Sequence, residues 1–442
     1  KVVATMSLTS FDPLALGLIF SAVLVCFVFS GARVVFAAAT VGMVGLIALI
    51  GWDAGIGIAG TIPHSKASAY SLSVLPLFIL IGYLAYHAGI TTGAFDAARA
   101  WLGWLPGGLA VASVFATAGF AAVSGASTAT AAVFSRVAIP EMLKYGYDRR
   151  LAAGVVAAGG TLASLIPPSG ALVIYAIIVE QSVGKLLLAG FVPGIISAII
   201  YGVLIVVMCA RRPELGARLP PVTLRRKIET LPGVLPIIAV IAIIFSGMYF
   251  GWATPTEAGA LGAFVVFVMA LINRMKWRDF NAALIETAKL TAMIFALIWG
   301  VLIFVRFLGF AGIPAAFATF IAGLDMPPTL IMICILLGYV VLGMFMDAIG
   351  MMLLTLPVVY PAVIGLGYDP IWFGIMVVKM VEVCLITPPI GLNCYVVKGV
   401  CPDIPLSDIF RGITPFFVAD VLTIALFLAF PDIILWLPNV MN

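Results

Sequence analysis

The sequence predicts an all-α polytopic membrane protein. Its 442 residues are 64% hydrophobic and only 10% charged, whereas about a quarter of an ordinary soluble domain is charged. Many uncharged stretches reach the roughly 20 residues that a helix needs to cross about 30 Å of hydrocarbon. The long apolar runs show no alternation with a period of two, so we expect helices rather than β-strands to make the crossings.

Ten apolar segments are expected to cross the membrane. They lie at about 12–31, 34–51, 73–88, 151–180, 187–210, 232–250, 255–272, 287–308, 370–397 and 412–436. Two further apolar stretches, at about 107–145 and 328–363, are each long enough to enter the membrane and return. The sequence therefore predicts about ten transmembrane helices and two re-entrant hairpins.

Basic residues are distributed unevenly among the loops between these segments. The loop Arg211–Lys227 carries six of them, and cytoplasmic loops are enriched in Lys and Arg. With this loop in the cytoplasm, seventeen basic residues fall inside and only Lys1, Lys66 and Lys185 fall outside. The bias requires both extra stretches to be re-entrant, and it places both termini on the outer, periplasmic side.

The two halves of the sequence match each other at a constant offset of 221 residues, which indicates an internal repeat. The matched residues are Pro140 with Pro361, Gly146-Tyr147-Asp148 with Gly367-Tyr368-Asp369, Pro167-Pro168 with Pro388-Pro389, and Gly170 with Gly391. Each half, 1–221 and 222–442, would hold five crossings and one hairpin. Because five is odd, the second half would be inserted upside down, and such inverted repeats are typical of secondary transporters.

Each half contains one apolar segment that is interrupted by two consecutive prolines. The interruptions fall at Gly160–Gly170 and at Leu385–Asn393. Proline ends a helix and leaves carbonyl groups without partners, which hydrocarbon tolerates only where the backbone lines a cavity. The freed carbonyls suit Na⁺, and the N-terminus of the following half-helix favours an anion. For either segment alone, a plain proline kink is the alternative.

Both expected hairpin turns carry polar residues. The first turn is rich in small and hydroxyl-bearing residues, which supply oxygen ligands or simply let helices pack closely: Ser124, Gly125, Ser127, Thr128 and Thr130. The second turn, Gly343–Gly350, contains Asp347. A carboxylate at that depth is a candidate functional residue, and its alternative role is to cap the half-helix that follows.

Other charged and aromatic residues lie at notable depths. Lys379 and Glu382 are one helical turn apart and form an internal ion pair, or else Lys379 faces the substrate. Arg306 is expected to extend to the membrane surface, whereas Arg136 could do so or could face the site. The amphipathic stretches Thr92–Pro106, with Trp101 and Trp104, and Pro314–Pro327 are expected along the membrane interface.

Four spaced motifs resemble the large membrane subunit of TRAP (tripartite ATP-independent periplasmic) transporters, in the ion-transporter superfamily. They are SGAST at 124–128, GTLASLIPPSG at 160–170, GMFMDAIGM at 343–351 and LITPPIGLN at 385–393. The resemblance spans nearly the whole chain and implies an elevator mechanism. A transport domain of hairpins and broken helices, interleaved with a fixed scaffold, would carry substrate and Na⁺ across the bacterial inner membrane.

The resemblance also implies partners and site residues. The partners are a small four-helix membrane subunit and a periplasmic substrate-binding protein. The first Na⁺ site would use Ser124 and Ser127 with the backbone of Ala163, Ile166 and Pro168, and the second would use Gly343, Cys384, Thr387 and Ile390. Substrate-binding residues would be Gly125, Thr128, Ser169, Asp347, Gly391 and Asn393. Ala163 and Cys384 depart from the glycine that is frequent in the family.

The expected function is Na⁺-coupled import of a small organic anion, such as a carboxylate, sulfonate or sugar acid, delivered by the binding protein. The alternative is a stand-alone Na⁺/anion symporter of the same superfamily. An intramembrane aspartyl protease is disfavoured, because Tyr147-Asp148 and Tyr368-Asp369 would lie on opposite sides of the membrane. No enzymatic activity, nucleic-acid partner or transition-metal site is expected, and no Walker motif is present.

Overall fold

The computed structural model describes residues 12–67 and 70–440, and these fold into α-helices joined by short connections. The predicted all-α class is confirmed. Lys1, which the charge count placed outside the membrane, lies outside the described residues.

The first half of the described chain contains ten α-helices. They are α1 (Pro13–Phe29), α2 (Val34–Ile50), α3 (Trp52–Ala67), α4 (Val74–His87), α5 (Ile90–Leu102), α6 (Gly108–Ser124), α7 (Ser127–Lys144), α8 (Arg149–Thr161), α9 (Gly170–Ile178) and α10 (Val183–Arg211). A 3₁₀ turn at Leu162–Ser164 follows α8.

The second half repeats much of this order. Its helices are α11 (Leu224–Thr230), α12 (Leu235–Tyr249), α13 (Pro255–Ile272), α14 (Trp277–Phe310), α15 (Ile313–Ala322), α16 (Pro328–Gly343), α17 (Ala348–Gly365), α18 (Pro370–Ile386), α19 (Leu392–Val400), α20 (Leu406–Ala429) and α21 (Asp432–Val440).

Helical hairpins and interrupted helices occur where the sequence places them. The first hairpin is α6 and α7, which turn at Gly125 with a φ of +60°, a conformation that glycine adopts readily. The second hairpin is α16 and α17. The interrupted helices are α8 with α9 and α18 with α19, and both interruptions contain a cis Pro-Pro bond.

Three segments differ from the sequence-based prediction. Helix α3 was not expected, since this stretch is rich in glycine and contains Pro63. Helix α14 begins at Trp277, ten residues before the predicted crossing. The predicted crossing at 412–436 is wrong in its bounds: α20 ends at Ala429 and α21 follows Pro431, which has no N–H to continue a helix.

Not every predicted crossing is a single long helix. Within residues 12–67 and 70–440, five helices are long and apolar enough to cross a membrane: α10, α13, α14, α17 and α20. Two bent pairs, α4 with α5 at 71° and α11 with α12 at 54°, would raise the number to seven. The other predicted crossings are interrupted, or are helices such as α1 and α2, with 17 residues each.

The interrupted helices lie at the centre of the molecule. Every residue from Ile371 to Ile386 in α18 is buried, and so is every residue from Leu151 to Thr161 in α8. Helix α8 packs between α7 and α20. A Cβ on Gly412 of α20 would lie 1.9 Å from the carbonyl oxygen of Arg150, so a small residue is needed there for the helices to approach. Many large apolar side chains are exposed on α1, α12 and α13, as expected for a lipid-facing surface.

Candidate functional site

The turn of the first hairpin contacts the first helix interruption directly. A Cβ on Gly125 would lie 2.3 Å from the carbonyl oxygen of Pro168. The amide of Gly170, at the start of α9, donates to the carbonyl oxygen of Gly125 at 3.5 Å. Only a residue without a side chain allows this approach, so the two predicted motifs form one structural unit.

Hydroxyl groups concentrate where these two segments meet. The Oγ of Ser127 lies 2.6 Å from the Oγ of Ser164, and the Oγ of Ser124 lies 2.7 Å from the Oγ1 of Thr130. Ser169 caps α9: its Oγ donates to the carbonyl oxygen of Ser164 and accepts from the amide of Leu172. Ala163, Ile166 and Pro168 lie buried in the same segment. The region therefore offers a dense set of oxygen atoms, which is the donor type that Na⁺ prefers.

The second hairpin contacts the last turn of α18, directly before the second interruption. A Cβ on Gly343 would lie 1.7 Å from the Sγ of Cys384, so the thiol fills the space that this glycine leaves. The Oγ1 of Thr387 donates to the carbonyl oxygen of Val383 at 2.6 Å. Gly343, Cys384 and Thr387 thus lie close together, and Ile390 is half-buried at the same interruption.

Asp347 has a structural role at the second turn and also faces the site. Its Oδ2 accepts from the amide of Gly350 at 3.0 Å and so caps α17. The residue also lines a cavity of about 240 Å³. Capping uses one carboxylate oxygen, which leaves Oδ1 available to a ligand.

This central cavity is built from both halves and from the surrounding helices. Its polar lining is Ser124, Ser127, Thr128, Ser164 and Asp347, with the glycines Gly125 and Gly170. Leu75, Phe78 and Ile79 of α4 and Leu290, Met293 and Ile294 of α14 close one side. An apolar pocket with a few convergent polar groups is the usual form of a small-molecule site.

Five pairs of cavity-lining residues are 221 residues apart. They are Ala126 with Asp347, Ser127 with Ala348, Thr128 with Ile349, Ser164 with Leu385, and Ala171 with Leu392. Residues at the same sequence offset in the two halves therefore line one cavity. Their side chains differ: hydroxyls come from the first half, and the carboxylate comes from the second.

Several residues expected at the substrate site do not line this cavity. The Nδ2 of Asn393 donates to the carbonyl oxygen of Ala157 at 3.1 Å, and the side chain is fully buried against α8. Gly391 forms the turn before α19, with a φ of +48°. Their neighbour Leu392 lines the cavity in their place. Ser169 is also fully buried and does not line the cavity.

Ser164 and the apolar residues of α4 and α14 were missed by sequence reasoning. The repeat contained a signal for Ser164, because this residue is equivalent to Leu385 beside the second Pro-Pro pair. No comparable signal marks Phe78 or Leu290, since an apolar residue in an apolar helix looks the same whether it faces lipid or a cavity.

A fully buried ion cluster lies away from the cavity. The Nζ of Lys379 contacts Oε2 of Glu382 at 2.6 Å and Oδ1 of Asp420 at 2.8 Å, and it donates to the Oγ of Ser197 at 3.2 Å. The hydroxyl of Tyr201 donates to the same oxygen of Asp420 at 2.7 Å. The expected internal ion pair is thus present. Asp420 was missed, although an acidic residue in an apolar helix is a signal in itself.

The repeated Tyr-Asp pairs start the interrupted helices. Asp148 accepts from the amides of Arg150 and Leu151, and Asp369 accepts from those of Ile371 and Trp372. The hydroxyl of Tyr147 donates to the carbonyl oxygen of Ala217 at 2.7 Å, and burial raises its pKa to about 12. These residues are helix caps and loop anchors, so the motif has a structural explanation.

Paired hairpins and interrupted helices around one central cavity define a membrane transporter fold. The structure is similar to that of the YdaH transporter from Alcanivorax borkumensis, with a TM-score of 0.58 at 13% identity over 95% of this chain and 97% of that chain. It is also similar to MtrF from Neisseria gonorrhoeae, with a TM-score of 0.55 at 14% identity over 95% of each chain. At this identity the likeness concerns the fold.

Comparison of the sequence with known families shows to which family the chain belongs. The model of the tripartite ATP-independent periplasmic transporter DctM component matches residues 10–433, so the chain belongs to this family. It is 36% identical to the C4-dicarboxylate TRAP transporter large permease DctM of Pseudomonas aeruginosa, over 84% of this chain and 86% of that one. It is 30% identical to the sialic acid TRAP transporter large permease SiaM of Vibrio cholerae, over 84% of this chain and 86% of that one. It is also 30% identical to the 2,3-diketo-L-gulonate TRAP transporter large permease YiaN of Escherichia coli, over 84% of this chain and 87% of that one. The resemblance seen in the four motifs is confirmed.

Proposed function

We propose that this chain imports a small organic anion across the bacterial inner membrane in symport with Na⁺. One observation carries the proposal: each hairpin contacts an interrupted helix at its turn, and residues of both hairpins and both interrupted helices line one cavity. The relatives are named for C4-dicarboxylates, sialic acid and 2,3-diketo-L-gulonate. The transported anion belongs to the same chemical class, the small organic acids.

Charge within the cavity supports coupling to a cation. Asp347 is the acidic residue in the lining, and among the residues that the structure describes no Lys or Arg lines this cavity. A carboxylate substrate would be repelled by it at short range. Na⁺ bound at the hydroxyls of Ser124 and Ser127 and at nearby carbonyls would offset that repulsion. Substrate and Na⁺ would then bind more tightly together than alone.

The assembly we propose contains two partners. A periplasmic binding protein delivers the anion, and a small membrane subunit covers part of the exposed apolar surface. The hairpins and interrupted helices would move as a transport domain against α2, α4, α13 and α14, which pack on one another. From the distribution of basic residues we infer that both termini lie on the periplasmic side.

Uptake into proteoliposomes tests the proposal. The chain and its small membrane subunit are reconstituted, and uptake of labelled succinate, sialic acid and 2,3-diketo-L-gulonate is measured with the binding protein encoded beside it. We expect uptake of one anion only with an inward Na⁺ gradient. Asp347→Asn should reduce the initial rate at least about tenfold, because the attraction between this carboxylate and bound Na⁺ is lost, and a loss of about 1.4 kcal/mol is a factor of ten. The control variant Asp325→Asn, in the exposed loop between α15 and α16, should leave the rate unchanged.

Two outcomes would contradict this function. Uptake that is independent of Na⁺ would remove the coupling. Uptake that proceeds equally without the binding protein would instead indicate the stand-alone symporter.

A further inference from the structure

A second cavity of about 300 Å³ adjoins the central one. Its walls come from α4, α6, α7 and α14. It shares four lining residues with the central cavity, at the turn of the first hairpin and on the two facing helices: Ile79, Ser124, Ala126 and Leu290. The two cavities therefore meet at the first turn, and a small molecule in one lies next to the other.

Arg136 of α7 is the basic residue of this second cavity, and Glu286 of α14 is its acidic residue. The side chain of Arg136 is exposed, and its Nη1 donates to the hydroxyl of Tyr86 at 3.2 Å. Among the residues that the structure describes, Arg136 takes part in no salt bridge. The acidic residue of the same wall, Glu286, instead contacts Nε2 of His87 at 3.3 Å.

The chemistry of this wall suits a carboxylate. A guanidinium group has five N–H donors in a rigid fork that matches a carboxylate, and Tyr86 occupies one direction of that fork. Tyr83 adds a second phenol to the lining. Charged residues within membrane helices are rare and usually have a function. The volume is at the small end of the range for ligand pockets.

We propose that Arg136 and this cavity form an anion-binding vestibule. The carboxylate of the transported anion pairs with Arg136 on its way between the central cavity and one side of the membrane. The identity of the anion rests on the proposed function, whereas the binding of a carboxylate at Arg136 can be tested without transport.

Thiol labelling measures the local charge directly. Ala132 lines the vestibule one helical turn before Arg136, so Ala132→Cys is introduced after Cys26 and Cys334, which are exposed, are changed to serine. The chain with its small membrane subunit is placed in phosphatidylcholine nanodiscs. Labelling rates are compared for a sulfonate-bearing and a trimethylammonium-bearing methanethiosulfonate, with Asp325→Cys as the reference position.

We expect the ratio of the sulfonate labelling rate to the trimethylammonium labelling rate to be roughly tenfold higher at position 132 than at position 325, because a guanidinium charge lies near position 132. Arg136→Gln should abolish that preference, and Arg136→Lys should retain most of it. Succinate should slow the labelling in the presence of Arg136. An equal preference in the Arg136→Gln variant would overturn the proposal, as would protection by added phosphatidylglycerol but not by succinate, which would assign the site to a lipid headgroup.

An uptake assay distinguishes a failure of the vestibule proposal from a failure of the proposed function. Arg136→Gln should lower the initial rate of Na⁺-driven uptake at sub-saturating anion about tenfold, while Arg278→Gln, whose side chain is 89% exposed, should leave it unchanged. If the unmodified chain transports no anion, the proposed function fails and labelling alone decides on the vestibule. Normal uptake by Arg136→Gln in a transporting system would contradict a place on the pathway.

Discussion

Single glycines set how closely the hairpins approach the interruptions. The thiol of Cys384 occupies the position that a side chain at residue 343 would need. Close packing of this kind is sensitive to single methyl groups, because interiors have little free volume. The requirement for glycine at this position is therefore steric, and it depends on what residue 384 carries.

Gly343→Ala should destabilise the protein. The added Cβ would lie 1.7 Å from the Sγ of Cys384, and overpacking of this kind costs about 1–3 kcal/mol. We expect a lower temperature of thermal unfolding in detergent and a restored temperature in the double variant Gly343→Ala/Cys384→Gly.

Gly338→Ala in the same helix is the matched control. A Cβ there meets nothing within 4 Å, and alanine favours a helix, so the unfolding temperature should not fall. Equal behaviour of the two alanine variants would show that the Gly343–Cys384 contact is not tight.

At the scale of the helices, the ion cluster joins α18 to α10 and α20. One ammonium group serves two carboxylates, and Oε1 of Glu382 and Oδ2 of Asp420 have no hydrogen-bond partner in the described structure. Buried charges are costly unless they are paired. The cluster therefore depends on Lys379 more than on either acid.

Lys379→Met should be far more destabilising than Asp420→Asn. The first leaves two buried carboxylates without a counter-charge, and removing one partner of a buried pair costs about 3–5 kcal/mol. The second leaves a neutral Lys379–Glu382 pair. Thermal unfolding in detergent should rank the variants in this order, and Arg225→Gln, from an exposed pair, should have little effect. The reverse ranking would mean that the cluster is not held by the lysine.

The helix ends and turns that were predicted correctly are those that a local sequence feature determines. Pro-Pro pairs lack backbone donors, and the glycine at the first hairpin turn adopts a positive φ, so interruptions and turns were predictable. The orientation of Asn393 was not predictable, because it depends on the rotation of α19 about its axis and on the neighbouring helix α8. The break at Pro431 was missed because the apolar run continues through it.

At the scale of the whole molecule, the charge bias predicts which side each loop faces. The loop around Arg218 is expected in the cytoplasm and the loop around Asp325 in the periplasm. Both residues are exposed, so a cysteine at either position would be reachable from its own side of the membrane.

A membrane-impermeant maleimide should therefore label Asp325→Cys in intact spheroplasts but Arg218→Cys only after the membrane is permeabilised. Both variants are made with Cys26 and Cys334 changed to serine, and the chain without added cysteines serves as the background. Labelling of both positions from the same side would contradict the inverted arrangement of the halves.

The five cavity-lining pairs have a consequence for the cargo. In three pairs a hydroxyl of the first half is matched by an aliphatic side chain of the second half, and in a fourth pair Ala126 is matched by the carboxylate-bearing Asp347. A molecule inside the cavity therefore meets different chemistry on its two sides. The two ends of a molecule with one polar and one apolar end are thus not interchangeable here, and we expect such a cargo to bind in one orientation.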